Sequence, residues 1–359
     1  ALQLGILFAV LYGLVSLFGA SRLIGFFKLN SPEVIAQAEW YVRIACGLVI
    51  FSYLNAILTG LLTAAGNSRT PFIVNVAGLA FNVVLDPVLI FGIGPFPELG
   101  VSGAAAATVT AQALVSLLFF KAVLREKVLF PHLRLWVLVP VKVWREIVRI
   151  GVPSAVQNLI YAGISMILTR LITGWGDLAV AAQRVGSQIE SVSWMVGDGF
   201  SAAVNAFLGQ NYGAKRYDRV RRGYFCAIAM TAAWGLCTTF LLIGMARPLF
   251  SIFLQEEEVM AIGVNYLRIV GLSQMFMMVE QTSIGAFSGL GRTLYPSIVS
   301  VTFTSARIPV AVLLSSVMGL SGIWWALSIS SMVKGCILFV SFVLFLYVFL
   351  ERKKDEKTV

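Results

Sequence analysis

Residues 60–108 read GLLTAAGNSRTPFIVNVAGLAFNVVLDPVLIFGIGPFPELGVSGAAAAT. Two apolar segments flank a turn rich in glycine and proline, and one carboxylate, Asp86, lies inside the first of them. An ionisable group within hydrocarbon is costly, so Asp86 is a candidate functional residue. Asn82 lies four positions earlier, which places its amide and the carboxylate on one helical face. Pro87 follows directly and removes a backbone donor from the same turn.

The composition around this stretch indicates a membrane protein. Hydrophobic residues make up 58% of the chain and charged residues only 12%, whereas a soluble domain carries about 25% charged residues. Apolar runs of about 20 residues predict membrane-spanning helices. We therefore predict an all-α, polytopic helical membrane protein with about ten spans. The runs lie near 1–20, 34–61, 72–93, 100–123, 147–173, 178–208, 223–246, 259–288, 296–317 and 320–349.

The charges are distributed unevenly between the connections. The net charge is +10, and Lys and Arg concentrate in a long loop at 124–146 and in a tail at 350–359. Loops of the opposite set, such as 91–100, are neutral or acidic. Because cytoplasmic loops carry the Lys and Arg surplus, we expect the linker and the tail to be cytoplasmic and the protein to lie in the cell membrane. The same surplus explains the basic charge without a nucleic-acid partner.

The chain also repeats itself with a shift of 225 residues. Tyr41 corresponds to Tyr266, and Gly66 corresponds to Gly291. After a longer loop in the first copy, LGVSGAA at 99–105 matches MGLSGIW at 318–324. The sequence thus predicts two homologous helix bundles. They comprise an amino-lobe at 1–123, a basic linker at 124–146, a carboxyl-lobe at 147–349 and the tail at 350–359.

The two predicted bundles differ in size. Six spans follow the linker and only four precede it, and the repeat shift pairs Ala1 with Cys226. Residues 147–225, which contain two spans, therefore have no counterpart upstream. We expect that the first two helices of a twelve-helix design are absent from this chain. The alternative is a natural ten-helix variant.

These features resemble the multidrug and toxic compound extrusion (MATE) family of secondary transporters. The resemblance rests on GLLTAAGNSRTP and FNVVLDP in the opening stretch, on GVSGAAAAT at 100–108, on GVPSAVQNLI at 151–160 and on GQNYGA at 209–214. It implies two six-helix lobes around a central cavity that opens alternately to each side. It also implies export of small amphiphilic, usually cationic, compounds in exchange for Na⁺ or H⁺, by a protein that is not an enzyme. We expect a monomer in the lipid bilayer that needs no cofactor beyond the coupling ion.

The resemblance further implies a cation site in the amino-lobe. In this family an Asp on the first helix joins an Asn/Asp pair on the fifth helix and a Thr on the sixth. The pair matches Asn82 and Asp86, the threonine matches Thr108, and Na⁺ would bind at Asp86 and Asn82. A carboxylate in low dielectric favours its protonated form, so it can exchange a proton for a cation, and amide and hydroxyl oxygens suit Na⁺. The alternative is that Asp86 only stabilises the bundle locally.

Other polar or adaptable residues inside the predicted spans are candidates for a substrate cavity. Glu280 either binds a cationic substrate or forms a structural ion pair with Arg307, which occupies the repeat position of Asn82. Asp198 is a weaker cavity candidate. Gln157 either lines a wet cavity or makes an interhelical hydrogen bond. Met277 belongs to a flexible apolar patch that suits varied ligands, although methionine at such positions also serves ordinary packing.

Two competing functions differ from a drug and cation antiporter. A lipid-linked oligosaccharide flippase of the same superfamily would need a strongly basic cavity to hold pyrophosphate. The predicted acids Asp86, Glu190, Asp198 and Glu280 instead oppose Arg170, Arg184 and Arg307, which favours cations. An integral-membrane enzyme would need a catalytic motif such as HExxH or GxSxG, and the sequence contains neither.

Overall fold

The computed structural model describes residues 2–25, 31–125 and 140–350. Within these residues the fold is all-α and contains no strand, as predicted. The chain divides into two compact units, Ala1–Arg145 and Glu146–Val359. The helices are α1 (Leu2–Gly25), α2 (Pro32–Tyr41), α3 (Ile50–Ala64), α4 (Arg69–Phe91), α5 (Gly100–Arg125), α6 (Val141–Thr173), α7 (Asp177–Gly213), α8 (Tyr217–Gly244), α9 (Ala246–Ser251), α10 (Glu257–Gly271), α11 (Gln274–Gly289), α12 (Leu294–Ser305), α13 (Arg307–Met318) and α14 (Leu320–Phe345).

The first unit contains α1 to α5. Helix α2 begins at Pro32, where a proline is tolerated because the first helical N–H groups have no intrahelical acceptor. A π-helical turn, Val42–Cys46, follows α2, and the chain bends by 40° before α3. A polar cluster joins α3 to α5: Asn55 donates to Gln112 Oε1 at 2.7 Å and accepts from Ser116 Oγ at 2.8 Å. Such interhelical hydrogen bonds hold helices together where burial of apolar surface gives little driving force.

The second unit contains most of α6 and all of α7 to α14. Its helix α10 begins with Glu257 and Glu258, whose charges favour the positive end of the helix dipole. Helices α10 and α11 meet at a bend of 50°. This bend follows Gly271, and the bend in the first unit follows Cys46. These positions differ by 225, which is the predicted repeat shift.

A second feature recurs at the repeat positions. Gly66 follows the end of α3 with φ of 91°, and Gly291 follows the end of α11 with φ of 70°. Asn67 N donates to Leu62 O at 2.9 Å, and Arg292 N donates to Phe287 O at the same distance. Each set forms a Schellman cap, in which a left-handed residue closes the helix and glycine has no Cβ penalty. The homology of the two bundles stays a prediction, and the shared cap supports it.

Helix α11 lies at the centre of the second unit. Its Phe287 packs edge-on against Phe342 of α14, with ring centroids 4.9 Å apart. Its backbone also approaches its neighbours closely. A Cβ atom placed on Gly285 would lie 2.3 Å from Ser201 O of α7, and one placed on Gly335 of α14 would lie 2.4 Å from Phe276 O of α11. Small residues permit this packing, as is common between membrane helices.

Nine spans are supported by length and apolar composition in the described part of the chain. Seven helical segments qualify alone, and each of the two bent pairs counts as one further span. The tenth predicted span, 178–208, forms α7, a helix of 37 residues. This helix is not apolar enough to count as a membrane span by composition, because it contains charged residues such as Arg184, Glu190 and Asp198. These three residues line a cavity, so the polar groups of α7 have a place away from lipid.

The predicted division into lobes stays a prediction. Along the chain, the boundary between the observed units Ala1–Arg145 and Glu146–Val359 falls at the end of the predicted linker 124–146. Residues 126–139 of that linker lie outside the described residues, as do residues 351–359 of the tail.

Candidate functional site

In the first unit, Asn82 and Asp86 contact each other on α4. Asn82 Nδ2 donates to Asp86 Oδ1 at 3.2 Å, and both side chains are half-buried. Pro87 lies inside the helix and cannot donate to the Val83 carbonyl, which leaves an acceptor one turn from the carboxylate. The arrangement gathers several oxygen ligands on one helical turn, which suits a hard cation. The role of the pair in ion coupling remains a prediction.

Thr108 does not join this pair by a hydrogen bond. It lies on α5, which packs along α4, and its side chain is exposed. Within the described residues it makes no hydrogen bond to Asn82 or Asp86. Its contribution to a cation site therefore stays an expectation drawn from the family resemblance.

In the second unit, a cavity of about 780 Å³ brings together all five predicted substrate residues. Its volume lies within the range of about 300–1,000 Å³ found for small-molecule sites. The walls come from α6, α7 and α10 to α14. The five predicted residues are Gln157, Asp198, Met277, Glu280 and Arg307. The sequence placed these residues on four helices, and the packing of the unit turns them towards one space.

Glu280 has a different ionic partner from the one that the sequence suggested. Lys334 Nζ of α14 donates to Glu280 Oε1 of α11 at 2.8 Å, and both side chains are buried. The predicted structural pair of Glu280 with Arg307 is therefore wrong. Residues 280 and 334 face each other because α11 packs along α14, whereas Arg307 begins α13. A buried pair of this kind satisfies two charges that would each be costly alone.

Lys334 is the functional candidate that the sequence analysis missed. It lies in the predicted span 320–349, in the stretch SSMVKGCILF. An isolated lysine in an apolar run is the same kind of signal that identified Asp86. That signal could have identified the residue, but not its partner.

Arg307 occupies the start of α13, at the break after α12. Its side chain is 7% exposed. The guanidinium donates from Nε to Ser330 Oγ and from Nη2 to Ser331 Oγ at 3.0 Å, and it lies 5.9 Å from the centre of the Tyr161 ring. Within the described residues no carboxylate lies within ion-pair distance of it.

The two acids of α7 that line the cavity accept hydrogen bonds from neutral groups. Glu190 accepts from Tyr266 OH and from Gln274 Nε2, each at 3.0 Å. Asp198 accepts from Gln281 Nε2 at 2.9 Å. Both carboxylates line the cavity. Their donors hold them in place without neutralising their charge.

The remaining two candidates differ in what they offer a ligand. Gln157 is half-buried and, within the described residues, its amide makes no hydrogen bond. The geometry thus gives no support to an interhelical hydrogen bond and leaves the amide facing the cavity. Met277 is half-buried on α11 and adds a flexible apolar surface to the wall.

Comparison with known proteins assigns the chain to a family. It matches the MatE family profile over residues 1–88 and 153–313. The chain belongs to the MatE family. The predicted resemblance is thereby confirmed, and its relatives are named as multidrug resistance proteins or, in one case, as an FAD transporter, and not as enzymes. No group of three or more His, Cys, Asp or Glu residues that could hold a metal ion occurs in the part of the chain that the structure describes.

Individual MatE relatives agree with this assignment. The probable multidrug resistance protein NorM of Thermotoga maritima is 31% identical over 84% of this chain and 66% of its own length. The probable multidrug resistance protein YoeA of Bacillus subtilis is 27% identical over 89% of this chain and 70% of its own length. The matched region thus spans about two thirds of these relatives. A solved structure of MATE in complex with MaD3S has the same fold, with a TM-score of 0.89 at 21% identity over 98% of this chain and 78% of that one.

Proposed function

We propose that this protein is a secondary active antiporter that exports small amphiphilic compounds across the cell membrane in exchange for Na⁺ or H⁺. The observation that carries the proposal is the cavity of about 780 Å³ in a member of the MatE family, with charged, polar and apolar groups on the same wall. Amphiphiles need both kinds of contact at once: apolar area binds the body of the molecule and a few polar groups orient it.

The proposal assigns coupling to the first unit. Asp86 gains or loses a proton or a Na⁺ ion, and Asn82 supplies a further oxygen ligand. A ligand can shift a conformational equilibrium only by its differential affinity for the two states. An ionised Asp86 in low dielectric requires a nearby cation, so its occupancy provides such a difference.

The same proposal includes the orientation in the bilayer. The linker at 124–146 and the tail at 350–359 lie in the cytoplasm, because they carry the largest surplus of Lys and Arg. The protein works as a monomer and needs no cofactor apart from the coupling ion.

A direct test uses the purified full-length protein in sealed proteoliposomes with rhodamine 6G as the substrate. We expect an imposed Na⁺ or proton gradient to accelerate dye transport, and an ionophore that dissipates the gradient to abolish the acceleration. Empty liposomes measure dye leakage. Transport that is indifferent to both gradients would contradict the antiport proposal.

One observation keeps the flippase alternative in view. The cavity wall carries three basic residues, Arg184, Arg307 and Lys334, against three acids, Glu190, Asp198 and Glu280. Of the predicted residues, Asp86 and Arg170 do not line this cavity, and Lys334 brings its basic residues to three, so the predicted excess of acids is absent. The wall is balanced and not strongly basic, so the antiporter remains the preferred function. Gradient-independent movement of a lipid-linked oligosaccharide in the same liposomes would favour the flippase.

A further inference from the structure

The charges of the cavity wall are not all compensated in the same way. Lys334 is 5% exposed, and its ammonium group is paired with Glu280 at 2.8 Å. Arg307 is buried to a similar extent, but hydroxyl groups are its hydrogen-bond partners. Two of the five N–H groups that a guanidinium carries are used by Ser330 and Ser331. The other three have no protein partner within the described residues.

The acids that line the same cavity do not supply the missing partner. Glu280 is engaged by Lys334. Glu190 is held by Tyr266 and Gln274, and Asp198 is held by Gln281. Glu190 interacts with Arg307 through its charge, but no carboxylate binds the guanidinium directly within the described residues. Unused donors of a buried charged group are costly. An anionic group in the cavity would relieve this cost and could use the three open N–H groups.

The chemistry of the Arg307 guanidinium indicates which kind of anionic group would bind there. Its planar fork binds carboxylates with two parallel hydrogen bonds, which a lysine ammonium cannot do. The two serines fix the fork from α14 and leave one side of it towards the cavity. Tyr161 and Trp194 add aromatic surface to the same wall, where the body of an amphiphile can lie.

We propose that Arg307 is a specificity-determining residue that binds a carboxylate on the substrate. The substrate class is then a zwitterionic amphiphile, whose cationic end is taken by Glu190 or Asp198 while its carboxylate pairs with Arg307. This inference rests on the proposed export function and narrows it, since a simple organic cation offers no acceptor for the open N–H groups of Arg307.

Two dyes that differ only at the carboxylate test the inference. Rhodamine 110 carries a free carboxylate, and rhodamine 123 is its methyl ester. Binding of each dye to the purified full-length protein is measured by fluorescence anisotropy, with protein-free micelles as the blank. We expect the wild type to bind rhodamine 110 about tenfold more tightly than rhodamine 123, since a hydrogen-bonded charge pair is worth about that much.

Three variants show whether Arg307 causes the preference. Arg307→Gln keeps a donor for the serines but removes the charge, so the two dyes should bind within about twofold of each other. Arg307→Lys keeps the charge without the fork and should retain part of the preference. Arg170→Gln is the matched control, because Arg170 is exposed on α6 and does not line the cavity. It should leave the ratio unchanged.

The outcomes separate this inference from the proposed function. Equal binding of the two dyes by the wild type, or an unchanged ratio in Arg307→Gln, would overturn the role of Arg307 while leaving the export function intact. Failure of the wild type to bind either dye would count against the proposed function itself and against the inference with it. The wild-type comparison needs no variant, so it holds even if Arg307→Gln does not fold.

Discussion

Glu280 and Lys334 lie 54 positions apart in the sequence, and their charged groups are 2.8 Å apart in the wall of the cavity. Removing one partner of a buried ion pair leaves the other charge unpaired, which costs about 3–5 kcal/mol. We expect Glu280→Gln and Lys334→Gln each to lower the thermal unfolding temperature of the purified protein. The double variant should be more stable than the sum of the two single effects predicts.

The double-mutant cycle gives this prediction a clear contrary outcome. The coupling energy is the difference between the double variant and the sum of the single variants. Strictly additive losses would mean that the ion pair contributes nothing beyond its separate residues. Arg170→Gln serves as a control for loss of an exposed charge in the same unit.

A second prediction concerns ion coupling at Asp86. Asp86→Asn keeps the size and the hydrogen bonding of the side chain but fixes it in a neutral state. It should abolish gradient-driven transport in proteoliposomes while leaving expression and membrane insertion unchanged. Asn82→Ala should reduce the cation dependence less severely, because it removes a ligand and not the charge. Gradient-driven transport by Asp86→Asn at the wild-type rate would move the coupling role elsewhere, first to Glu280.

Thr108→Ala separates two views of the cation site. The structure shows no hydrogen bond from Thr108 to Asn82 or Asp86 within the described residues. If Thr108 is a ligand only when the ion is bound, the variant should raise the cation concentration that gives half-maximal transport and leave the unfolding temperature unchanged. An unaltered cation dependence would remove Thr108 from the site.

A fourth prediction addresses packing at Gly285. A Cβ atom there would meet the backbone of Ser201 at 2.3 Å, so the helices α11 and α7 must separate to accept it. Overpacking of this kind typically costs about 1–3 kcal/mol. Gly285→Ala should therefore lower the unfolding temperature measurably. Gly163→Ala is the matched control, because no atom lies within 4 Å of its added Cβ and alanine favours a helix. Similar unfolding temperatures for both variants would contradict the close approach.

A fifth prediction tests the orientation. In a background without Cys46, Cys226, Cys237 and Cys336, we expect Lys127→Cys to resist a membrane-impermeant thiol reagent added to intact cells. The same position should react once the cells are opened. Glu98→Cys, in the loop of the opposite set, should react from outside. Strong labelling of Lys127→Cys in intact cells would reverse the topology.

The sequence alone was sufficient to predict contacts that depend on spacing along one helix. Asn82 and Asp86 are four residues apart, so the contact follows from helical geometry alone. The cavity residues could be nominated because polar groups in apolar spans are rare. Their pairing could not be predicted, since it depends on which helices pack together. The need to pair two charges in an apolar interior suggested Glu280 with Arg307, whereas the packing of α11 along α14 selects Lys334.

The close backbone contacts at Gly285 and Gly335 also determine which helices of the second unit can move relative to one another. At these two points no side chain separates the backbone of α11 from α7 or from α14. We therefore expect the three helices to move together as one rigid group. Helix α6 is held to its neighbours by ordinary side chains such as Ile164 and Leu168, and Pro153 interrupts its hydrogen bonding. Spin labels on α6 and α14 should therefore change their separation during transport, while labels on α11 and α14 should not. We therefore expect the cavity to change shape by movement of its α6 wall, while the walls formed by α7, α11 and α14 keep their geometry.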